Sequence, residues 1–270
     1  MRLQVSHRSV YRFDSPMRGV VQSHRLTPAT SDSQTIVSWN VSVPLATKGA
    51  SFTDGAGDLV ETVTVRGKVE ELEVFVEGVV ETSDLMGVLR GHRERVSPLV
   101  YLRRTSATRA DQAIRDLAAQ AIAGVDGALA CGHAISKAVR EAVDYSPGTT
   151  DGSTTAAEAL EQKHGVCQDH AHLMIAAALS VDIPARYVAG YLFADGDGLL
   201  AEASHAWAEL YVPELGWIGY DASNQICPDE RYIRLGSGFD AVDAAPIRGI
   251  SQGAGTERLD VDVSVQQVAQ

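Results

Sequence analysis

The hydrophobic pattern of the chain changes its period near residue 100, and this change limits the folds that the sequence can adopt. Over roughly the first 95 residues apolar and polar side chains alternate, as they do in Val37–Val43 and Leu72–Val76. A period of two is typical of strands with one buried face. Glycines and aspartates at residues 53–58 favour a tight turn between antiparallel strands. We therefore predict an antiparallel β-sandwich-like domain at residues 1–100.

Beyond residue 101 the apolar residues first follow a helical period. The stripe in Ala110–Ile122 recurs at i, i+3, i+4 and i+7, and it predicts a helix with Thr108 as its N-cap. A second stripe in Cys131–Ala142 predicts another helix, which proline and glycine end near residue 147. Residues 85–105 have no clean period and are interpreted as the connection between the two domains.

Two short signals place Cys167 at the start of a later helix. Thr155 and Glu158 have the spacing of a capping box, and they predict a short helix that Gly165 closes at its C′ position. Cys167 then begins the next helix, which is rich in alanine and leucine and extends to about Ser180. Such a composition is typical of a buried helix.

Strand patterns return after Pro184, in residues 186–192, 204–212, 217–221 and 261–265. Helices that precede strands in this way indicate an α+β domain. We expect residues 101–270 to form a core of helices packed on an antiparallel sheet.

The strand pattern also sets a geometric condition for His205 and Asp221. In Ser204–Val212 the even positions from Ala206 onwards are apolar, so His205 faces the opposite, more polar side of the strand. His205 and Asp221 can meet only if the turn between their strands leaves an odd number of residues unpaired, or if a bulge shifts the register. Asp221 would then accept the Nδ1 proton of His205, and Nε2 would face the thiol of Cys167.

The composition excludes several functional classes. The 270 residues include 23 basic and 35 acidic side chains, so the formal charge is 23 − 35 = −12 and no basic stripe is present. Nucleic acid is therefore not expected as a partner. No stretch approaches the roughly 18 apolar residues of a membrane span, and the first residues lack the apolar region of a secretory signal. We expect a cytoplasmic protein without membrane partners.

The chain has three cysteines, and an odd number argues for free thiols rather than a disulfide framework. Of these three, Cys131 and Cys227 are interpreted as packing residues. Cys167 is different because a helix start and a neighbouring imidazole both favour the reactive thiolate form of a thiol. The order Cys167, His205, Asp221 therefore predicts a nucleophile, a base and an orienting carboxylate.

Four sequence blocks follow one another in the second half of the chain: Gly165–Asp169, Ile183–Tyr191, Ser204–Trp207 and Gly216–Asp221. Together they resemble the bacterial transglutaminase-like family, a relative of the papain-like cysteine proteases. The resemblance implies a papain/transglutaminase-like core and a Cys-His-Asp triad with Cys167 as nucleophile, His205 as base and then acid, and Asp221 as orienting carboxylate. The β-rich first third looks like the domain that precedes this core in such proteins.

The chain departs from the pattern of that family in three places. His170 occupies a position that is often aromatic, and residues 221–224 read Asp-Ala-Ser-Asn instead of Asp-Pro-Thr-Asn. Residues 238–241 read Gly-Phe-Asp-Ala where the family tends to have Gly-Arg-Asp-Tyr. If that arginine shapes the substrate pocket, these departures imply a different choice of substrate.

These residues predict acyl transfer through a thioester. A thiolate attacks the carbonyl of a peptide or carboxamide, and either water or an amine then opens the thioester. We favour a cysteine peptidase or amidase over a crosslinking protein-glutamine amine transferase, and we expect a peptide or protein substrate and no cofactor. The backbone N–H of Cys167 and the Gln168 side chain are candidates for the oxyanion hole. Trp207 is interpreted as a pocket wall or a core residue.

Two hypotheses from other classes stay open. Four possible metal ligands, His164, Cys167, His170 and His172, lie within one stretch of nine residues, which suggests a metal site. Helical geometry opposes this interpretation, because positions 167 and 170 share a face while 172 does not, and no second pair with zinc-type spacing follows. The chain could also be a catalytically silent binding module that uses its N-terminal domain for recognition. The sequence does not specify the oligomeric state.

Overall fold

Two antiparallel sheets and a layer of helices make up the structure. The computed structural model describes residues 1–194 and 203–269. The first sheet contains β1 (Arg2–His24), β2 (Gln34–Ser42), β3 (Thr47–Thr53), β4 (Leu59–Thr82), β11 (Ile247–Gln252) and β12 (Glu257–Gln267). The second sheet has the order β10-β7-β8-β9 and contains β7 (Ala185–Leu192), β8 (Ser204–Val212), β9 (Gly216–Tyr220) and β10 (Tyr232–Gly238).

The helices precede the second sheet along the chain, as the change of period predicts. They are α1 (Gln112–Ala121), α2 (Ala128–Ala142), α3 (Ala156–Gln162) and α4 (Cys167–Ser180), after a short 3₁₀ helix at Pro98–Leu102. Two short parallel strands, β5 (Asp144–Tyr145) and β6 (His164–Gly165), lie between them. None of the helices in the described residues has both the length and the apolar character that a membrane crossing requires. The mixed α/β architecture with mostly antiparallel sheets confirms the predicted fold class.

Two long strands form the centre of the first sheet. Strands β1 and β4 pair antiparallel over most of their length, with register shifts between Arg12 and Met17. Strands β2 and β12 flank one half of this pair, and β3 and β11 flank the other half. Val74 from the first half and Val65 from the second belong to one buried cluster. The sheet therefore encloses its own core as a sandwich does, although its six strands form one hydrogen-bonded unit.

The end of the chain returns to the first sheet. Strand β12 pairs with β1 from Phe13 to Leu3, and β11 pairs with the other end of β1. A partition into residues 1–100 and 101–270 places these two strands with the helical core, whereas their hydrogen bonds lie entirely within the first sheet. The physical reason is that β1 would otherwise expose a free edge, which the last strands cover.

Helix α4 is the centre of the helical layer. All of its residues from Asp169 to Leu179 are buried, as expected for a helix that is apolar on every side. It contacts strand β8 and the other three helices. The even-numbered residues of β8, such as Ala208 and Leu210, pack into the same core, which confirms the predicted parity of this strand.

The helix caps differ in part from those that the sequence predicts. The capping box of Thr155 and Glu158 is present, with Thr155 Oγ1 accepting from the Glu158 N–H at 3.3 Å. Asp111, not Thr108, caps α1, because its carboxylate accepts the N–H of Ile114 at 2.9 Å. Lys163, not Gly165, takes the left-handed conformation that ends α3, with φ of 59°. The sequence pattern therefore predicted the helices correctly, but it did not predict the residues that cap α1 and α3.

A buried chain of charges connects the first sheet to the second. Asp58 accepts from Arg234 Nη1 at 2.7 Å, and Arg234 Nε donates to Glu209 at 3.0 Å. Arg186 Nε donates to the other oxygen of Glu209 at 2.6 Å. Burial alone would raise the pKa of Glu209, but the two arginines outweigh it and lower this pKa to about 2. The network fixes the face of β8 that also carries His205.

Candidate active site

Cys167 is the first residue of α4, where the sequence places it. The thiol is partly exposed and packs at the edge of the helical core. The first residues of a helix have N–H groups without intrahelical acceptors, and the helix dipole favours negative charge at this end. This position suits an anionic sulfur and the developing negative charge of an acyl-transfer reaction.

A close contact between Gly165 and Asp169 shapes the start of α4. The Asp169 carboxylate accepts the N–H of Val166 at 2.8 Å and the hydroxyl of Thr150 at 2.6 Å. A Cβ atom at Gly165 would lie 2.6 Å from Cβ of Asp169, so only glycine allows this approach. The glycine before the cysteine thus serves the cap of the following helix.

The turn between β8 and β9 satisfies the geometric condition for His205 and Asp221. Val212 pairs with Gly216, so three residues, an odd number, stay unpaired between the strands. The two side chains therefore share a face, and His205 Nε2 lies 2.7 Å from Asp221 Oδ2. The structure brings together the imidazole and the carboxylate that the sequence separates by 16 positions.

The prediction about which ring nitrogen meets Asp221 is wrong. Nε2, not Nδ1, bonds the carboxylate, and Nδ1 is buried without a hydrogen-bonded partner among the described residues. Ala208 and Tyr220 form the last pair between β8 and β9, so Asp221 lies diagonally across from His205 and not directly opposite it. Nε2 is at the far end of the imidazole ring and can span this longer distance. Nδ1 is consequently the nitrogen left for Cys167.

The environment of this pair is dry. The expected polar face of β8 is covered, and His205 and Asp221 are 3% and 1% exposed. Burial alone would lower the pKa of His205, but the Asp221 carboxylate, its hydrogen bond and the nearby Cys167 thiol raise this pKa well above its usual value. Burial alone would raise the pKa of Asp221, and His205 and other donors lower it instead. The pair therefore favours imidazolium next to carboxylate.

Three further side chains hold Asp221, and one of them comes from a distant strand. Ser223 donates to Oδ1 at 2.5 Å, and Asn224 donates its backbone N–H to Oδ1 and its amide to Oδ2. The Tyr232 hydroxyl donates to Oδ2 at 2.7 Å. Ser223 and Asn224 belong to the block that departs from the family pattern. Tyr232 could not be predicted from the sequence, because a single tyrosine in a strand does not indicate which side chain across the sheet it contacts.

Comparison with known proteins identifies the family of the chain. Residues 115–222 match the transglutaminase-like superfamily, and residues 3–81 match the bacterial transglutaminase-like N-terminal region. An uncharacterised protein of Mycobacterium leprae (strain TN) is 33% identical over 286 residues, with 99% of each chain covered. The chain belongs to the transglutaminase-like superfamily.

Two other similarities cover different parts of the chain. A candidate cysteine protease from Cytophaga hutchinsonii has the same fold, with a TM-score of 0.75 at 21% identity, covering 100% of this chain and 92% of the other. A stretch of 76 residues is 36% identical to a protein-glutamine gamma-glutamyltransferase of Pseudomonas aeruginosa, covering 26% of this chain and 11% of the other. The family membership covers both domains, and the transferase similarity is local.

The other two candidate residues of this transglutaminase-like chain have different surroundings. Gln168 lies at the surface, and its amide donates to the backbone oxygen of Asp151 at 3.4 Å. Trp207 is buried, and its ring lies edge-on to Tyr232 at 5.5 Å. A Cβ atom at Gly190 would lie 2.6 Å from the Trp207 ring, so the glycine makes room for the indole. Trp207 also lines a small pocket beside the second sheet, together with Glu209 and Tyr232.

The histidines near Cys167 make structural contacts. The His170 ring bonds the backbone oxygens of Val166 and Val143 at 2.9 and 3.0 Å. His172 Nε2 accepts the N–H of Ala241 at 3.0 Å. Within residues 1–194 and 203–269, no group of three or more candidate side chains is arranged to hold a metal ion. The contacts of these histidines therefore have an explanation in packing.

The departure at residues 238–241 also has a visible structural consequence. Phe239 packs on Tyr101, with ring centroids 5.4 Å apart, and the guanidinium of Arg103 lies 5.1 Å above the Phe239 ring. This segment is tied to α4 through the bond from Ala241 to His172. An aromatic cluster with a neighbouring guanidinium is thus built around Phe239.

Proposed function

We propose that this protein is a cysteine hydrolase of peptide or carboxamide bonds, with Cys167, His205 and Asp221 as its triad. The observation that carries the proposal is the buried His205–Asp221 pair, 2.7 Å apart, whose free ring nitrogen is left for the thiol at the start of α4. A raised imidazole pKa supports the same assignment, because a protonated His205 stabilises a neighbouring thiolate at neutral pH.

The reaction then follows in two halves. The Cys167 sulfur attacks the carbonyl carbon of the substrate, and the proton held by His205 passes to the departing amine as the C–N bond breaks. A thioester on Cys167 results. His205 next takes a proton from water, and the resulting hydroxide attacks the thioester carbonyl. The C–S bond then breaks, which releases the carboxylic acid product and restores the thiolate next to a protonated His205. Asp221 keeps the ring oriented through both halves.

The oxyanion would form near the start of α4. The backbone N–H of Cys167 has no intrahelical acceptor at this position and can donate to the developing negative charge. The contact of Gln168 with Asp151 holds its side chain at the surface beside the cysteine, from which it is a second candidate donor. Trp207 packs edge-on against Tyr232, whose ring in turn lies next to the His205 imidazole, so we assign Trp207 a supporting role rather than contact with the reacting atoms.

Amine transfer is the second candidate. It is favoured by the 76-residue similarity to a protein-glutamine gamma-glutamyltransferase. The two activities share every step up to the thioester and differ only in whether water or an amine opens it. Hydrolysis is preferred because water is the nucleophile present at the highest concentration unless a binding site selects an amine.

The experiment is mass spectrometry of the protein and its Cys167→Ala variant after incubation with a library of peptides and carboxamides, with and without a primary amine. The proposal predicts products that gain water, formed by the wild type alone. Products that gain the amine would favour the transferase. Equal inertness of both proteins, with Cys167 unreactive, would contradict catalysis and favour a binding role.

A further inference from the structure

The carboxylate of Asp221 is held by donors of two kinds. Ser223 and Asn224 are two and three residues away in the chain, and an isolated bridge between Asp221 and Ile226 closes their loop. Because Ser223 and Asn224 lie in the same loop as Asp221, they would move together with it. The hydroxyl of Tyr232 comes instead from β10, which is separated from β8 by β7. Together with His205 on β8, it ties the carboxylate to the second sheet.

The ring of Tyr232 is itself fixed by packing. Tyr232 is 5% exposed, its ring lies edge-on to Trp207 at 5.5 Å, and its centroid lies 5.9 Å from that of His205. Strand β10 pairs with β7 so that Tyr232 lies opposite Leu192. Because the ring cannot move far without disturbing Trp207, the position of its hydroxyl is set by the sheet.

We propose that Tyr232 is a positioning residue of the active site, whose hydroxyl fixes the Asp221 carboxylate against His205 Nε2 and thereby keeps Nδ1 turned towards Cys167. This inference rests on the proposed triad and extends it to a fourth side chain. Tyr232 touches no reacting atom; it acts through Asp221. Three donors meet at Oδ2, from His205, Asn224 and Tyr232. Removal of the Tyr232 hydroxyl would leave Oδ2 with the donors from His205 and Asn224 and would take away the one that comes from β10, so the carboxylate would be held less firmly against the imidazole.

The hydroxyl of Tyr232 keeps its proton near neutral pH. Burial and the neighbouring Asp221 carboxylate raise the pKa of Tyr232 far above its usual range, so the group stays a donor. A hydrogen bond to a charged acceptor is stronger than one between neutral groups, which makes its loss measurable.

The test measures alkylation of Cys167 by iodoacetamide as a function of pH, in a Cys131→Ser/Cys227→Ser background. The variants are Tyr232→Phe, which keeps the ring, and Tyr191→Phe as a matched control, whose hydroxyl bonds His7 at 2.8 Å and not the triad. The proposal predicts that Tyr232→Phe slows alkylation near pH 6 by about tenfold, the effect of losing one charge-assisted hydrogen bond. It also predicts that the imidazolium loses its proton at lower pH. Tyr191→Phe leaves both quantities unchanged.

Each other result has a definite meaning. If Cys167 of the wild type reacts fast and Tyr232→Phe has the same dependence of alkylation rate on pH, the positioning role of Tyr232 is overturned, while the proposed triad is still supported. If the imidazolium of Tyr232→Phe loses its proton at higher pH, Tyr232 withdraws charge from Asp221 rather than positioning it, and the inference is also overturned. If Cys167 of the wild type reacts no faster than an ordinary thiol, the proposed function and this inference fall together.

A second measurement keeps the inference testable if Tyr232→Phe does not fold. The hydroxyl proton of Tyr232 in the wild type should exchange slowly with water in NMR spectra, because it is buried and hydrogen-bonded. Exchange as fast as that of an exposed tyrosine would overturn the proposal.

Discussion

At the scale of single residues, the site depends on a charge that is kept away from water. Asp221 accepts from four side chains and is almost completely buried, so its negative charge acts on His205 with little screening by solvent. The sequence could nominate Cys167, His205 and Asp221 as candidates because each lies in a local block. It could not identify the ring nitrogen or Tyr232, because both depend on how side chains meet across strands.

Asp221→Asn tests this charge directly. The substitution keeps the shape of the side chain but removes the carboxylate that raises the pKa of His205. In the wild type the imidazolium is present at neutral pH and is lost only as pH rises through its raised pKa. In the variant we expect this loss to move down towards about 6.5 or below, with turnover reduced on the order of 10²–10⁴-fold. An NMR titration of the His205 ring measures the first effect, and an unchanged titration would contradict the assignment.

At the scale of elements, the start of α4 and the β8–β9 turn position the chemistry. The sequence predicted the start of α4, because a glycine before an apolar helical run is a local feature. For the turn it gave only a condition, an odd number of unpaired residues or a bulge, and the three unpaired residues meet it. It misplaced the caps at Thr108 and Gly165, since several nearby residues can cap a helix and tertiary packing selects among them.

Gly165→Ala tests the role of the helix start. The added methyl group would lie 2.6 Å from the Asp169 side chain, so the cap on Val166 must shift. We expect a loss of about 1–3 kcal/mol in the free energy of unfolding, together with slower alkylation of Cys167. Urea denaturation measures the first quantity. Gly152→Ala is the matched control, because an added Cβ there meets nothing within 4 Å. Equal stability of the two variants would show that the contact does not shape the helix start.

At the scale of the whole molecule, the two sheets are joined by buried charges and by the return of the chain to β1. Neither feature could be predicted from the sequence. Asp58 and Arg234 are 176 positions apart, and β12 pairs with the first residues of the chain. Periodicity identifies a strand but does not specify its partner, because pairing depends on register and on which edges stay uncovered.

Arg234→Met tests the joining network. The substitution leaves Asp58 and Glu209 buried without this cation, and we expect a loss of about 3–5 kcal/mol in the free energy of unfolding. Arg12→Met is the matched control, because Arg12 pairs with Glu71 at the surface, where both side chains are 48% exposed. There we expect a loss of less than about 1 kcal/mol. Chemical denaturation of both variants at neutral pH compares them, and similar losses would contradict a joining role for the buried network.

Activation of the Cys167 sulfur by His205 can be measured as the rate of iodoacetamide alkylation at each cysteine near pH 6, resolved by peptide mass spectrometry. The three free thiols serve as internal standards for one another. We predict that Cys167 reacts at least about tenfold faster than Cys131 and Cys227, and that His205→Gln abolishes this difference. Alkylation of Cys167 at the rate of the other two thiols, or a fast rate that persists in His205→Gln, would contradict the account.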